Sequence, residues 1–448
     1  MEATDSPGWQ RWVSAQIGLW AELLTPFDGW TVTSKPHKWS DGSRLGQSMR
    51  AVLLMALLLL PAATSRSYAS YSGGSGTRED PYLIGAAGDL LALAADPNDW
   101  TAHFRLTADI DMADVPRDLA YMIGNATIPF RGSFDGAGRR ILHFTCISPG
   151  CNRVGLFGHI RALNGGVRDL CLVDPNVEAT TGISVGALVG HLGTGSVAGC
   201  RVEGGRVRGA MAVGGLVGWS YATITGCTAQ AEVRGQYSIG GLVGLCGWDA
   251  EVRDCAADAN VAGVSRVGGL AGACTSTFVE WSSARGFAAG SSYVGGLIGV
   301  SEGATVMNCY STTAAEGDLI IGGLAAYNGP CHDDSGSVPG AIRNCYSAGP
   351  VTGRTDPGGL VGVNEPNCIV ENSFWDIQTS SVTTSAGGTG LPTTLLQTPA
   401  TFIRAGWDFS PQPKSGDYWT IGPGPQYPIF AWQIPTDDPD ALAESRQR

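Results

Sequence analysis

From Val154 to Asp376 the apolar positions follow a long period rather than the 3.6-residue period of a helix or the two-residue period of an isolated strand. A block of β-branched residue, Gly, Gly, Leu, small apolar residue and Gly appears as Val213-Gly-Gly-Leu216-Val-Gly, Ile239-Gly-Gly-Leu242-Val-Gly, Val267-Gly-Gly-Leu270-Ala-Gly and Val294-Gly-Gly-Leu297-Ile-Gly. Looser copies surround Leu156, Leu188, Leu324 and Leu360, making eight units of roughly 27 residues. Each unit also has a second apolar half: Val197-x-x-Cys200, Ile224-x-x-Cys227, Val252-x-x-Cys255, Phe278-x-x-Trp281, Val306-x-x-Cys309, Ile342-x-x-Cys345 and Val370-x-x-Ser373. Six residues beyond the Cys position come Val233, Val261, Phe287, Ala315 and Val351.

Helical repeats of this length need runs of helix formers, whereas these units place Gly every few residues between short β-branched pieces. The pattern predicts an all-β fold, a parallel β-helix or β-solenoid of about 8 coils, with about three strands per turn stacked about 4.8 Å apart. Right-handed winding is the expected hand. Stacking should place Leu188, Leu216, Leu242, Leu270, Leu297, Leu324 and Leu360 in one interior ladder. Cys200, Cys227, Cys255, Cys309 and Cys345 should form a second ladder of small hydrophobes, with Trp281 at the same position in a bulkier fifth unit. The paired glycines before each Leu are expected to bend the chain or take positive φ.

A solenoid also needs its ends covered, because bare strand edges invite association. Residues 70–153 read as an N-terminal cap with irregular first coils: Asp89–Ala95 is helix-like, and Phe104-Arg-Leu-Thr and Phe130-Arg-Gly-Ser-Phe are strand-like. Residues 154–376 are the array, and 377–448 are a linker and C-terminal cap, with a short helical stretch at Pro392–Ala405 and strands near Trp419 and Tyr427–Trp432.

Composition narrows the class further. With 65 Gly, 43% hydrophobic and 15% charged residues, the chain is too apolar for disorder and too poor in charge for a coiled coil. A net charge of -12, with Arg208, Arg234 and Arg253 scattered, leaves no basic patch for nucleic acid. Residues 49–69 combine Arg50, an apolar core Ala51–Leu60 and a small-residue Ser67-x-Ala69 site, which is the layout of a signal peptide. That core is too short to span a bilayer, so no membrane span is expected after cleavage. Met49 then reads as the start, with residues 1–48 a mis-assigned extension, and the protein is expected to be secreted or on the cell surface.

The repeats resemble those of GLUG-motif proteins, the Gly-Leu-x-Gly repeats of bacterial secreted and surface proteins. Gly76-Thr-Arg-Glu-Asp-Pro-Tyr-Leu-Ile, Leu106-Thr-Ala-Asp-Ile-Asp, Phe130-Arg-Gly-Ser-Phe-Asp-Gly-Ala-Gly and Ala405-Gly-Trp-Asp-Phe with Tyr427-Pro match the same architecture. The resemblance implies a β-helical stalk or adhesin-like region, which in some members accompanies a metallopeptidase domain of the immunoglobulin-A-cleaving type. It brings no catalytic residue onto this chain.

Candidate chemistry is sparse. No His-Glu-x-x-His zinc motif occurs, and His37, His103, His143, His159, His191 and His332 are dispersed. Carbohydrate-active sites need converging carboxylates or a basic residue. The material for one is Glu232, Asp254 and Asp258 on the array, Asp333 and Asp334 beside His332 in the longest insertion, and Lys414, the only lysine after residue 69. Asp109, Asp111 and Asp114 lack the Gly turn and terminal Glu of a calcium loop, so neither metal nor cofactor is expected. Among the remaining cysteines, positions suggest disulfides Cys146–Cys151, Cys246–Cys274 and Cys331–Cys368, with Cys171 unassigned. The expected function is a non-enzymatic, adhesin-like binding or structural module with a carbohydrate or surface-protein ligand. The alternative is a polysaccharide-active lyase or glycosidase.

Overall fold

The computed structural model describes residues 71–116, 122–333, 336–355, 357–409, 419–421 and 426–434. The expected extension 1–48, the signal peptide 49–69 and Lys414 lie outside these residues.

Two parallel sheets of 17 and 19 strands are wound into a β-solenoid of about nine turns. A regular coil contributes four short strands rather than three. Val217–Ser220 and Thr223–Thr225 join one sheet, and Thr228–Arg234 and Tyr237–Gly240 join the other. Rungs stack in register: Val213 faces Ile239, Ile239 faces Val267, Val267 faces Val294 and Val294 faces Ile321. Leu188, Leu216, Leu242, Leu270, Leu297, Leu324 and Leu360 are fully buried. Each of the first six donates its N–H to the carbonyl of the next, at 2.8–3.0 Å. Burial stabilises by roughly 1.5–3 kcal/mol per leucine, and the continuous main-chain ladder leaves no orphan polar group along this line.

The paired glycines serve a different purpose from the one their sequence suggests. None of Gly214, Gly215, Gly240, Gly241, Gly268 or Gly269 has positive φ. What they supply is clearance: a Cβ on Gly215, Gly241, Gly269, Gly296 or Gly323 would lie 2.1–2.2 Å from a backbone oxygen of the next coil. The left-handed corners fall instead on Ser184, Ala212, Ser238, Arg266, Tyr293 and Ile320, each immediately before the inward Val or Ile. A second set comprises Asp169, Gly199, Gly226, Asp254, Trp281, Asn308, Asn344 and Asn372. Non-Gly residues there cost roughly 1–2 kcal/mol each, which the coil stacking must offset.

That second corner corrects the alignment of the fifth unit. Val252 pairs with Val279 and Ala256 with Ser283, so the interior position after the corner is Ser282, not Trp281. Ser282 is fully buried, while Phe278 and Phe287 are exposed and Val279 and Ala288 take their expected interior places. A one-residue offset in a strand exchanges its two faces, and here it turns three aromatic side chains outward.

The second ladder holds Cys200, Cys227, Cys255, Ser282, Cys309, Cys345 and Ser373, all buried. Every member donates to the carbonyl two residues earlier, from Sγ at 3.1–3.4 Å or from Oγ at 2.7–2.8 Å. These thiols therefore act as small donors at a corner as well as apolar filler. We predict that Cys255→Ser shifts stability by no more than about 1 kcal/mol, whereas Cys255→Leu overpacks and costs about 1–3 kcal/mol. Denaturant melts of the two variants check this, and a Ser variant as damaged as the Leu variant would refute the donor role.

All twelve cysteines are thiols in the structure, so none of the three expected disulfides is formed. Cys146 points inward from strand Thr145–Ile147, whereas Cys151 is exposed on the following turn. Cys331 is buried in a hairpin opposite Val338, while the Cys368 sulfur accepts from the Gly340 N–H at 3.3 Å. Cys246 and Cys274 do face each other as register partners, inside a buried row that continues through Ser301 and Asn328. Contact with the Cys274 thiol, with burial second, holds the Cys246 thiol well above its ordinary range.

At the N-terminal end, strand Tyr82–Ile84 pairs with His103–Leu106, which pairs with Ser133–Asp135, so the opening segments are rungs of the same sheet. Helix Ala87–Ala95 buries Leu90 and Leu93. Its Asp89 carboxylate accepts from the Gly85 and Ala86 N–H groups at 2.8 and 3.1 Å, which satisfies donors at the helix start. At the other end the Ser/Thr/Gly stretch is part of the closure. Val382 is buried, the Trp375 indole donates to its carbonyl at 3.0 Å, and Ser385 Oγ accepts from Leu360 and Val361.

Helices Thr393–Leu396 and Pro399–Arg404 and the antiparallel pair Trp419–Thr420 with Ile429–Phe430 form a clasp on the outward side of the second sheet. They bury Trp281, Tyr310 and Tyr346 and pack on Phe374, which come from four successive coils. Tyr310 and Tyr346 stack with centroids 5.1 Å apart. Gln433 ties the clasp down, accepting from Tyr310 at 2.7 Å and donating to Ser283 at 2.9 Å.

Candidate binding face

Val189 and Leu192 are buried, whereas His191 next to Leu192 is half-buried on the outer side, a departure from simple alternation, and register stacking aligns it with His159 before and Trp219 after. Ring centroids are 4.9 Å apart for His159 and His191 and 5.8 Å for His191 and Trp219, with Tyr221 5.7 Å from His191. Gly247 on the next coil leaves room for this cluster, since a Cβ there would meet the Tyr221 ring at 2.7 Å. His159 is buried and His191 and Trp219 are half-buried, so the row meets solvent chiefly through Tyr221, 37% exposed at its edge.

The row is electrically neutral near pH 7. Burial, then the Arg153 guanidinium whose Nη1 lies 3.5 Å from Nδ1, depresses His159 to about 4. Burial, then His159, depresses His191 to about 3. His143 behaves oppositely, because its 2.8 Å hydrogen bond to Asp111 raises it. We predict that NMR titration finds His143 protonating above the ordinary value of about 6.5 while His159 and His191 stay neutral to well below pH 5. Since the unfolded chain takes up those two protons first, their contribution to stability is complete above about pH 6.5 and is lost as pH falls toward 4 and 3. A His191 resonance titrating near 6.5 would contradict this.

The other sequence candidates do not converge. Glu232 pairs with Arg234 at 2.5 Å, Asp258 with Arg285 at 2.7 Å, and Arg253 bridges Glu251 and Glu280 at 2.8 and 2.9 Å. These are neighbours on one strand or on adjacent rungs, worth little individually. Asp254 sits at a left-handed corner, its carboxyl raised by burial. Asp111 is committed to His143, and Asp109 accepts from the Arg140 N–H at 3.0 Å. His332 is exposed in strand Cys331–Asp333, and Asp334 lies outside the described residues. Among the described residues no group of three or more His, Cys, Asp or Glu could hold a metal ion, and no helix is long and apolar enough to cross a membrane.

Sequence reasoning treated His159 and His191 as dispersed. The signal was there at one repeat position: the residue after the last Gly of the block is His159, His191 and Trp219 in three successive units.

Stacked coils with aligned Leu and Cys/Ser rows define a parallel β-solenoid repeat protein. Within that class the chain carries the GLUG motif, whose family model matches at residues 209–234 and 290–314. The chain is similar to halomucin of Haloquadratum walsbyi, 35% identical over 152 residues, covering 32% of this chain and 2% of that protein. It is also similar to a candidate Gly-rich membrane protein of Evansella cellulosilytica, 36% identical over 132 residues, covering 27% of this chain and 14% of the relative. The matches thus span a small part of these relatives. Among solved structures, a candidate immunoglobulin A1 protease from Bacteroides ovatus aligns over 81% of this chain and 96% of its own at 18% identity, with a TM-score of 0.42.

Proposed function

We propose that the chain is a non-enzymatic repeat module of the cell surface or secreted space that binds carbohydrate along the outward face of its first sheet. The observation that carries this reading is the outer-side row of the buried His159 and half-buried His191 and Trp219 with Tyr221 exposed at its edge, uncharged near neutral pH and aligned on successive coils. Flat amphipathic rings offer apolar faces and polar edges together, which suits the mixed faces of a sugar. The surface assignment is supported by the relatives' names, a halomucin and a Gly-rich membrane protein. The test is a glycan array on the full chain, followed by Trp219→Ala. Glycan binding weakened by that substitution is expected, and no glycan binding at all would overturn the proposal.

The alternative, a polysaccharide-active lyase or glycosidase, has one close polar pair to draw on, His103 Nδ1 at 2.6 Å from Ser133 Oγ on the same face. A reducing-sugar release assay distinguishes the two readings, because the binding module releases none.

A further inference from the structure

Beyond the aromatic row, the outward face of the first coils is hollowed into a groove of about 640 Å3. The register partners His103, Ser133, Gly166 and Ser196 run along its floor. Gly166 keeps the floor open, since a Cβ there would lie 2.0 Å from the Ser196 carbonyl oxygen and its φ is +135°. One wall is the next outward row, Arg105, Asp135 and Arg168, and Leu163, 83% exposed, forms the opposite lip.

The charge arrangement of that wall is specific. The Asp135 carboxylate, 14% exposed, accepts from Arg168 Nη2 at 2.6 Å and from the Ala137 N–H at 2.8 Å, with Arg105 Nε at 3.9 Å. It is therefore occupied holding two guanidiniums that are themselves 56% and 62% exposed. Arg78, which also lines the groove, is in no ion pair among the described residues. Arg168 also meets Asp169 at 3.5 Å, so three arginines against Asp135, Glu79 and Asp169 bring the site to 3 − 3 = 0, neutral within a chain whose net charge is -12. The partnerless Arg78 and the exposed Arg168 fork still present N–H donors to an anion, and guanidinium forks match carboxylate geometry.

We propose that this groove is a subsite for an acidic sugar, a uronate residue of an oligosaccharide. Its carboxylate is taken by Arg168 and Arg78, its hydroxyls by the Ser133–His103 pair and Ser196, and one ring face lies on Leu163. This assignment rests on the carbohydrate-binding reading and specifies the charge of the ligand.

The experiment is titration calorimetry of the full chain with tetragalacturonate and, separately, cellotetraose, at low and moderate salt. Wild type is expected to bind the uronate oligomer more weakly as salt rises. Loss of a charge-assisted hydrogen bond in Arg168→Ala should weaken it roughly tenfold or more, with cellotetraose affinity unchanged. Arg78→Ala, which breaks no ion pair, should weaken it in the same direction and keeps the test valid if Arg168→Ala is misfolded. Binding of cellotetraose without tetragalacturonate overturns the groove assignment alone, as does undiminished uronate binding by both variants. Binding of neither, together with an empty glycan array, overturns the carbohydrate reading as well.

Discussion

Gly241→Ala is expected to destabilise the array at or above the top of the roughly 1–3 kcal/mol range typical of overpacking. The added methyl would lie 2.1 Å from the Gly269 carbonyl oxygen and 2.9–3.0 Å from the Ala259 and Ala257 side chains. The nearest obstacle is backbone, so no rotamer change relieves it. The next coil must move, and its Leu242-to-Leu270 main-chain bond, 2.9 Å long, lies on the same line. Gly88→Ala is the control. It sits in helix Ala87–Ala95 with nothing within 4 Å of its added Cβ, and should be neutral or stabilising by up to about 1 kcal/mol. Chemical denaturation of both variants decides the matter, and a Gly241 variant as stable as the Gly88 variant would show that coil spacing is not set by this clearance.

Trp419→Ala should cost about 3–5 kcal/mol, and the loss should be local. Trp419 is fully buried between Trp407 and Phe430, at ring distances of 4.8 and 4.7 Å, and reaches Trp281, Tyr310 and Tyr346 at 6.0–6.2 Å. Among the described residues its indole N–H has no partner, so the cost is argued from packing. The clasp joins the array through these rings and a few side-chain bonds, whereas each coil is bonded to its neighbours along two sheets. Repeat arrays lose order by units, so hydrogen exchange should rise across Thr393–Arg404 and Ile429–Phe430 while the strands from Val217 to Gly295 stay protected. Uniform loss of protection along the coils would mean that the clasp and the solenoid unfold as one.

The fifth unit shows where reading by spacing alone goes astray. Counting from Cys255 leads to Trp281 and Phe287, whereas stacking selects Ser282 and Ala288, because an interior of fixed width admits the small side chain and turns the aromatic one outward. Trp281 then has a use that no local pattern announces, since its partners Trp419 and Phe430 lie more than a hundred residues away in the chain. The groove was equally hidden. His103, Ser133, Gly166 and Ser196 sit at irregular intervals in the least regular part of the sequence, and only pairing in register brings them together.

By itself the amino-acid sequence determined the repeat, the parallel β-solenoid, and the identity of the leucines and cysteines that line its interior, because one side chain per coil at a constant place leaves a period in the chain. Tertiary stacking decided what a period cannot encode. It set the side of the wall each residue of an irregular unit occupies, gave the paired glycines their role as clearance between coils, and aligned His159, His191 and Trp219 into one face, since each of these depends on what lies one coil away.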